Sequence, residues 1–266
     1  MTGWVDYRRR VLYEDDAVVV LDKPPGIAVV GERHDADLVD LAAEAGETVM
    51  PAHRIDKVTS GAVVFAKTAE AHASLARQFH RRSIEKAYLA VVRGDDRAGG
   101  GEGGGLAAGT IDLPLAVGRK NRVRVAAPRS SIVVDAARRS WSVAPAAVFA
   151  DKRSYPARTD FAVVAGTDDA ALIVARPHTG RRHQIRVHLA WIGRPIVGDP
   201  LFPGPPAART YLHAWQVAFD APWAGGDRVV LDAAPDADFW IPLGAEPPGW
   251  RTQAGAVLDG LGGGDP

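Results

Sequence analysis

The chain has 266 residues, of which 47% are apolar and 24% charged, a globular composition that is neither disordered nor collagenous. It contains no cysteine, which excludes disulfides, thiolate nucleophiles, iron–sulfur clusters and cysteine zinc sites. No run approaches the roughly 20 apolar residues that span a bilayer, and the N-terminal residues lack a secretory pattern, so the expectation is a cytoplasmic protein with no membrane partner.

Lys plus Arg and Asp plus Glu both number 32, so the net charge of zero gives no global argument for a nucleic-acid partner. The distribution is uneven. Residues 14–47 hold ten acids against Lys23 and Arg33, residues 119–139 hold seven bases against Asp135, and residues 176–194 hold five arginines, three histidines and no acid. Such asymmetry can make a basic groove on a neutral protein.

In chain order, residues 11–30 read as strand, turn and strand: 17–21 is continuously apolar, Asp22-Lys-Pro-Pro-Gly26 is a turn signal, and 27–30 resumes the β pattern. A short helix is predicted over 36–45, a buried strand over 61–66, a helix capped by Thr68 and running to about 81, and a strand over 84–92. Residues 99–109 contain seven glycines in eleven positions, so a flexible excursion spanning about 95–110 is predicted; it lacks the Lys-Ser/Thr ending of a phosphate loop. An arginine-rich insertion follows over about 117–155, with strands that are hard to read. Residues 159–165 and 171–175 form a predicted hairpin. Ile185, Leu189 and Ile192 repeat at helical spacing, with Thr179 near the start and Gly193 at the end. Strands over 211–219 and 229–231 close the pattern, and the small residues from 251 to 266 read as a flexible tail. The expectation is a single catalytic domain over residues 1–250.

The residues that carry chemistry begin with His53-Arg-Ile-Asp-Lys-Val-Thr-Ser-Gly61, just before a buried strand. Its one carboxylate, Asp56, stands between Arg54 and Lys57, and positive neighbours favour an ionised carboxylate, which is a competent nucleophile. On charge alone an ion-paired loop aspartate is the alternative. His183 and His188 lie five apart, about 140° around a helix, and so do not share a metal ion as an i, i+4 pair does; no metal is expected. The reading is that one of the two makes an external contact and the other is satisfied within its helix.

The string HRIDKVTSG closely resembles the active-site motif of the RluA-type RNA pseudouridine synthase family. Three further stretches resemble that family in order: Lys23-Pro-Pro-Gly26; Lys86-Ala-Tyr-Leu-Ala90; and Thr179-Gly-Arg-Arg-His-Gln-Ile-Arg-Val-His-Leu189 with Gly193-Arg-Pro-Ile-Val-Gly-Asp199. The later Leu212-His-Ala214 also fits. The resemblance covers residues 12–94 and 155–243 and leaves the glycine and arginine segments unmatched. It implies an α+β fold with a mixed, largely antiparallel sheet, flanking helices and a central cleft. It also implies an isomerase that converts uridine in RNA to pseudouridine without a cofactor, acting on ribosomal or transfer RNA and needing no obligate protein partner.

Carried over by resemblance, Asp56 is the catalytic aspartate, Tyr88 the strand tyrosine and Arg186 the helix arginine. Tyr88 offers a face and a hydroxyl to a detached uracil, and Arg186 can pair with Asp56. The target uridine must leave its stack, and by resemblance Arg54 props the gap. Lys57, Arg181, Arg182 and His183 complete the predicted RNA contacts. Substrate selection is expected to rest on this domain, with the arginine-rich stretch 119–139 as a further contributor, because the matched region begins near residue 11. Two alternatives come from other classes. A catalytically idle RNA-binding protein could retain this fold, although it would not need all of Asp56, Tyr88 and Arg186. A nucleosidase would need a second carboxylate across the site, and the only acid within the other motifs is Asp199, whose Gly-Asp-Pro setting reads as a turn.

Overall fold

The computed structural model describes residues 3–31, 35–93, 107–118, 122–202 and 204–261. Its first elements are α1 Trp4–Arg8, β1 Val11–Glu14, β2 Val18–Lys23, α2 Leu38–Glu44, β3 Met50–Pro51, β4 Ser60–Ala66, α3 Ala69–Arg81 and β5 Glu85–Arg93. There follow β6 Ala108–Asp112, β7 Leu115–Val117, β8 Val123–Val125, β9 Ile132–Asp135, β10 Ser140–Val143, β11 Ser154–Tyr155, β12 Arg158–Gly166 and β13 Ala170–Pro177. The chain ends with α4 Gln184–Trp191, β14 Leu212–Asp220, β15 Arg228–Asp232 and α5 Trp250–Leu261. The fold is α+β with largely antiparallel strand pairing, as expected. Where the sequence suggests one catalytic domain, the chain divides into two compact units, Met1–Tyr88 with Leu212–Asp236, and Leu89–Tyr211 with Ala237–Pro266.

In the first unit the strands run β1-β2-β4-β14, with β3 on β4 and β15 on β14. Every residue of β4 is buried, because both faces of the strand are covered. Val19, Leu21, Val63 and Phe65 face a core that includes Trp4, Leu38 and Ala42 from α1 and α2. Val18, Val20, Ala62, Val64 and Ala66 face the opposite core, which includes Ala71 and Leu75 of α3. The two-residue alternation thus sorts one continuous apolar run into two cores. Helix α3 starts where Thr68 accepts the Ala71 N–H at 3.2 Å and ends at Arg82 in a left-handed conformation.

The second unit carries the order β13-β12-β6-β10-β9 and a separate three-stranded sheet β11-β7-β8. Helix α4 packs on β8, β12 and β13, and α5 packs on β12 and β13.

Several expectations need correction. Residues 27–30 form no strand, since the Ile27 carbonyl accepts from the Lys23 amine and the Ala28 carbonyl from the Leu38 N–H. The glycine excursion falls mostly outside the described residues, but its last residues, Ala108 and Gly109, belong to β6. The segment over 251–261 is a helix rather than a tail; Trp250 and Ala254 are buried, and the Trp250 ring packs at a tilt beside Trp240, with centroids 5.3 Å apart. Helix α4 starts at Gln184, later than the Thr179 signal suggests, because the preceding turn ends with His183 at a positive φ of 56°.

Candidate active site

In the first unit the loop carrying Asp56 is held at both ends. At its start, His53 Nε2 accepts the Val64 N–H at 3.1 Å and the ring packs on Phe79 at 5.0 Å. Burial, and then the Lys86 charge, push this imidazole down to about 3, so it is a neutral strut rather than an acid. At its end, Ser60 and Gly61 enter β4 and run parallel to His213 and Ala214 of β14. Gly61 has φ +107°, and a Cβ there would stand 2.2 Å from the Ala214 carbonyl oxygen, so the approach admits glycine alone. His213 Nε2 donates to the Ala233 carbonyl at 2.9 Å; its Nδ1 therefore accepts the buried Ser60 hydroxyl at 2.8 Å.

The Lys23-Pro-Pro-Gly26 turn is fastened to the same loop. The fully buried Lys23 amine donates to the carbonyls of Pro24 at 2.9 Å, Ile27 at 2.8 Å and Lys57 at 3.3 Å. The Gly26 N–H adds a bond to the Lys57 carbonyl at 2.7 Å. Asp56 is half-buried, and its carbonyl accepts the Thr59 N–H at 3.0 Å, which turns the chain back into β4. Arg54 is exposed, and the Lys57 ammonium pairs with Asp35 at 2.7 Å.

Tyr88, on β5, packs against the apolar core that includes Ile55. Burial first, and the Asp56 charge second, raise its hydroxyl above the ordinary tyrosine range. It therefore stays protonated at neutral pH, able to donate a hydrogen bond or a proton but not to act as a base. Of the predicted catalytic residues, Asp56 and Tyr88 thus lie within one unit.

In the second unit, Arg186 on α4 is 3% exposed and makes a bidentate ion pair with Asp199, at 2.8 Å from Nε and 2.6 Å from the terminal nitrogen. Asp199 also accepts the Leu201 N–H at 2.9 Å, so it is more than the turn residue its Gly-Asp-Pro setting suggests. Gln184, which no motif argument singled out, uses its whole amide. Its oxygen accepts from Thr179 at 2.6 Å and from the Arg181 N–H at 3.0 Å, while its nitrogen donates to the Arg158 carbonyl and the Thr159 hydroxyl, both at 2.9 Å. Thr159 donates onward to His188 Nδ1 at 2.9 Å, and His188 Nε2 donates to the Leu113 carbonyl at 3.0 Å. Burial pushes His188 down to about 4, so it is the satisfied helix histidine of the pair. Arg181 lies over Tyr155 at 5.3 Å and donates to the Pro156 carbonyl at 3.2 Å. Arg182 and His183 are half-buried on the same turn.

Among the described residues, no group of three or more His, Asp or Glu is arranged to hold a metal ion, and no helix is long and apolar enough to cross a membrane.

The family model described as RNA pseudouridylate synthase matches residues 17–191. The chain is 32% identical over 234 residues to the dual-specificity RNA pseudouridine synthase RluA of Escherichia coli O6:H1, covering 85% of this chain and 93% of that protein. It is also 32% identical over 248 residues to the ribosomal large subunit pseudouridine synthase D of Nitrosomonas europaea; that match covers 86% of this chain but spans only 62% of that protein. In structure it resembles human RNA pseudouridylate synthase domain containing 4, with a TM-score of 0.68 at 22% identity, covering 92% of this chain and 97% of the other. The chain belongs to the RNA pseudouridylate synthase family, whose members are isomerases that convert uridine to pseudouridine.

Proposed function

We propose that the chain isomerises specific uridines in ribosomal or transfer RNA, with Asp56 as nucleophile, Tyr88 as hydroxyl donor and Arg186 as a third catalytic residue. The observation that carries this reading is the family match over residues 17–191, in which Asp56 stands on a loop fastened by Lys23 and Gly26 within the same unit as Tyr88. The reaction breaks the ribose–nitrogen bond of uridine, turns the uracil in place and forms a ribose–carbon bond. A proton moves from the ring carbon to the freed nitrogen, so nothing is gained or lost overall. Such a sequence needs a nucleophile that can leave again, which a carboxylate supplies, and a protonated group beside the loosened base, which Tyr88 supplies.

Selection of RNA is supported by the bases around the loop and α4, with Arg54, Arg181, Arg182 and His183 as phosphate or gap contacts and Lys57 exchanging Asp35 for phosphate. The names of the two relatives point to ribosomal RNA and to more than one RNA.

The test is pseudouridine mapping of total RNA from cells with and without the gene, rescued by wild type or by Asp56→Ala. One or a few sites should vanish and return only with the wild type. Sites that return equally with Asp56→Ala would remove Asp56 from the chemistry.

A further inference from the structure

The arginine-rich segment folds against α4 around a cavity of about 1040 Å3 that lies wholly within the second unit. Three sequence features build it. The β7–β8 hairpin, paired through Leu115 and Val125, presents Arg122 and Arg124. The returning chain is pinned where the Phe149 N–H donates to the Ala126 carbonyl at 2.8 Å. There Lys152 and Arg124 lie over the Phe149 ring at 4.8 and 5.7 Å. At the far side, Arg129 donates to the Trp191 carbonyl at 3.0 Å and lies over the Trp191 ring at 6.0 Å, fastening the segment to the end of α4.

The lining joins two chemistries. Arg122, Arg124 and Lys152 supply three cations against one carboxylate, Asp151, in a chain whose net charge is zero. Trp191 and Phe202 supply aromatic surface to the same space. Cations beside aromatic rings are what an unpaired nucleotide uses, its phosphate on the charges and its base on the rings. An acidic peptide would use only the charges, and a base-paired helix would expose no base faces to the rings. The volume stands at the top of the range of about 300–1,000 Å3 for small-ligand sites, enough for more than one nucleotide.

We propose that this cavity is a second RNA subsite, which takes unpaired nucleotides of the substrate other than the modified uridine and so helps choose the substrate. The inference rests on the RNA-isomerase reading above, but its test is a binding measurement that does not need turnover. The probe is a fluorescein-labelled single-stranded octauridylate, titrated by anisotropy at several salt concentrations against the whole protein. Trp191→Ala should weaken binding about 5- to 150-fold, as loss of one base–aromatic stack does, whereas Trp191→Phe keeps most of the affinity. Arg122→Ala with Lys152→Ala should reduce the salt slope by about 1.4, about 0.7 for each single-strand phosphate contact removed. Should Trp191→Ala fail to fold, the charge pair decides alone. An unchanged affinity and slope in the double variant would overturn the subsite. Pseudouridine formation measured on the same proteins separates the two failures: normal binding by the variants with intact turnover sinks only the subsite, whereas lost binding with no turnover by the wild type sinks only the isomerase reading.

Discussion

Replacing Gly61 by alanine tests how the loop bearing Asp56 is set. The residue has φ +107°, and an added Cβ would lie 2.2, 2.6 and 2.7 Å from the carbonyl oxygen, nitrogen and carbonyl carbon of Ala214, all of them backbone atoms that no rotamer change can move. Holding a non-glycine residue in that conformation costs about 1–3 kcal/mol. Forcing a methyl group into a packed site costs about 1–3 kcal/mol more. The sum of about 2–6 kcal/mol corresponds to a fall in Tm of roughly 4–24 °C at about 2–4 °C per kcal/mol. Gly46, at φ +80° with nothing within 4 Å of its Cβ position, carries only the conformational part. Differential scanning calorimetry of Gly61→Ala and Gly46→Ala should therefore show a clearly larger loss at Gly61. Turnover should fall further at Gly61 than stability explains, because β4 and β14 must part beside Ser60 and His213. Equal Tm losses for the two variants would refute the close approach as the device that positions the loop.

Three other outcomes follow from the buried polar groups. His53 and His188, held neutral with values lowered to about 3 and about 4, bind protons more readily when unfolded. Stability should thus fall on acidification from about pH 6.5 to 5 by about 1.4 kcal/mol per pH unit for each histidine, and denaturant melts that are flat across that window would contradict their burial. Asp199→Ala removes both hydrogen bonds of the Asp199 carboxylate to buried Arg186 and should cost about 3–5 kcal/mol in urea unfolding; Asp199→Asn recovering full activity would show that charge is not what holds Arg186. Lys23→Met takes this donor from the Pro24 and Ile27 carbonyls, while the Lys57 carbonyl keeps the Gly26 N–H, and should cost at least about 2 kcal/mol, so a change within 0.5 kcal/mol would mean that the turn and loop are not fastened by the amine.

The apolar run 61–66 and the periodicity of α3 were legible because burial on both faces and a Thr68 cap leave direct marks on composition. The strand expected over 27–30 is absent because its carbonyls go to Lys23 and Leu38, partners that no local pattern reveals. Helix α5 was missed for the opposite reason: Ala and Gly read as a tail, whereas Trp250 anchors them against β12 and β13. In the candidate site, Asp56, Tyr88 and Arg186 were singled out only by the resemblance of the motifs around them, because local charge and pattern alone fit an ion-paired loop residue, a strand residue and an exposed helix arginine equally well. Those that work through a neighbour were not singled out. Gln184 and Asp199 matter for where their hydrogen bonds end, across turns of several residues. The arginine-rich insertion hid its organisation because its strands are short and its cations meet rings far away in the chain, Arg124 at Phe149 and Arg129 at Trp191 of α4.

The central claim is that Asp56 performs the isomerisation while the loop around it is held by other residues. The most direct measurement is pseudouridine formation by purified wild type and Asp56→Asn on an RNA whose modified site has been mapped, with Tm and RNA affinity recorded for both proteins. The account predicts stoichiometric pseudouridine from the wild type and none from Asp56→Asn, at nearly equal Tm and affinity. Turnover by Asp56→Asn would contradict it, as would loss of activity that only tracks unfolding.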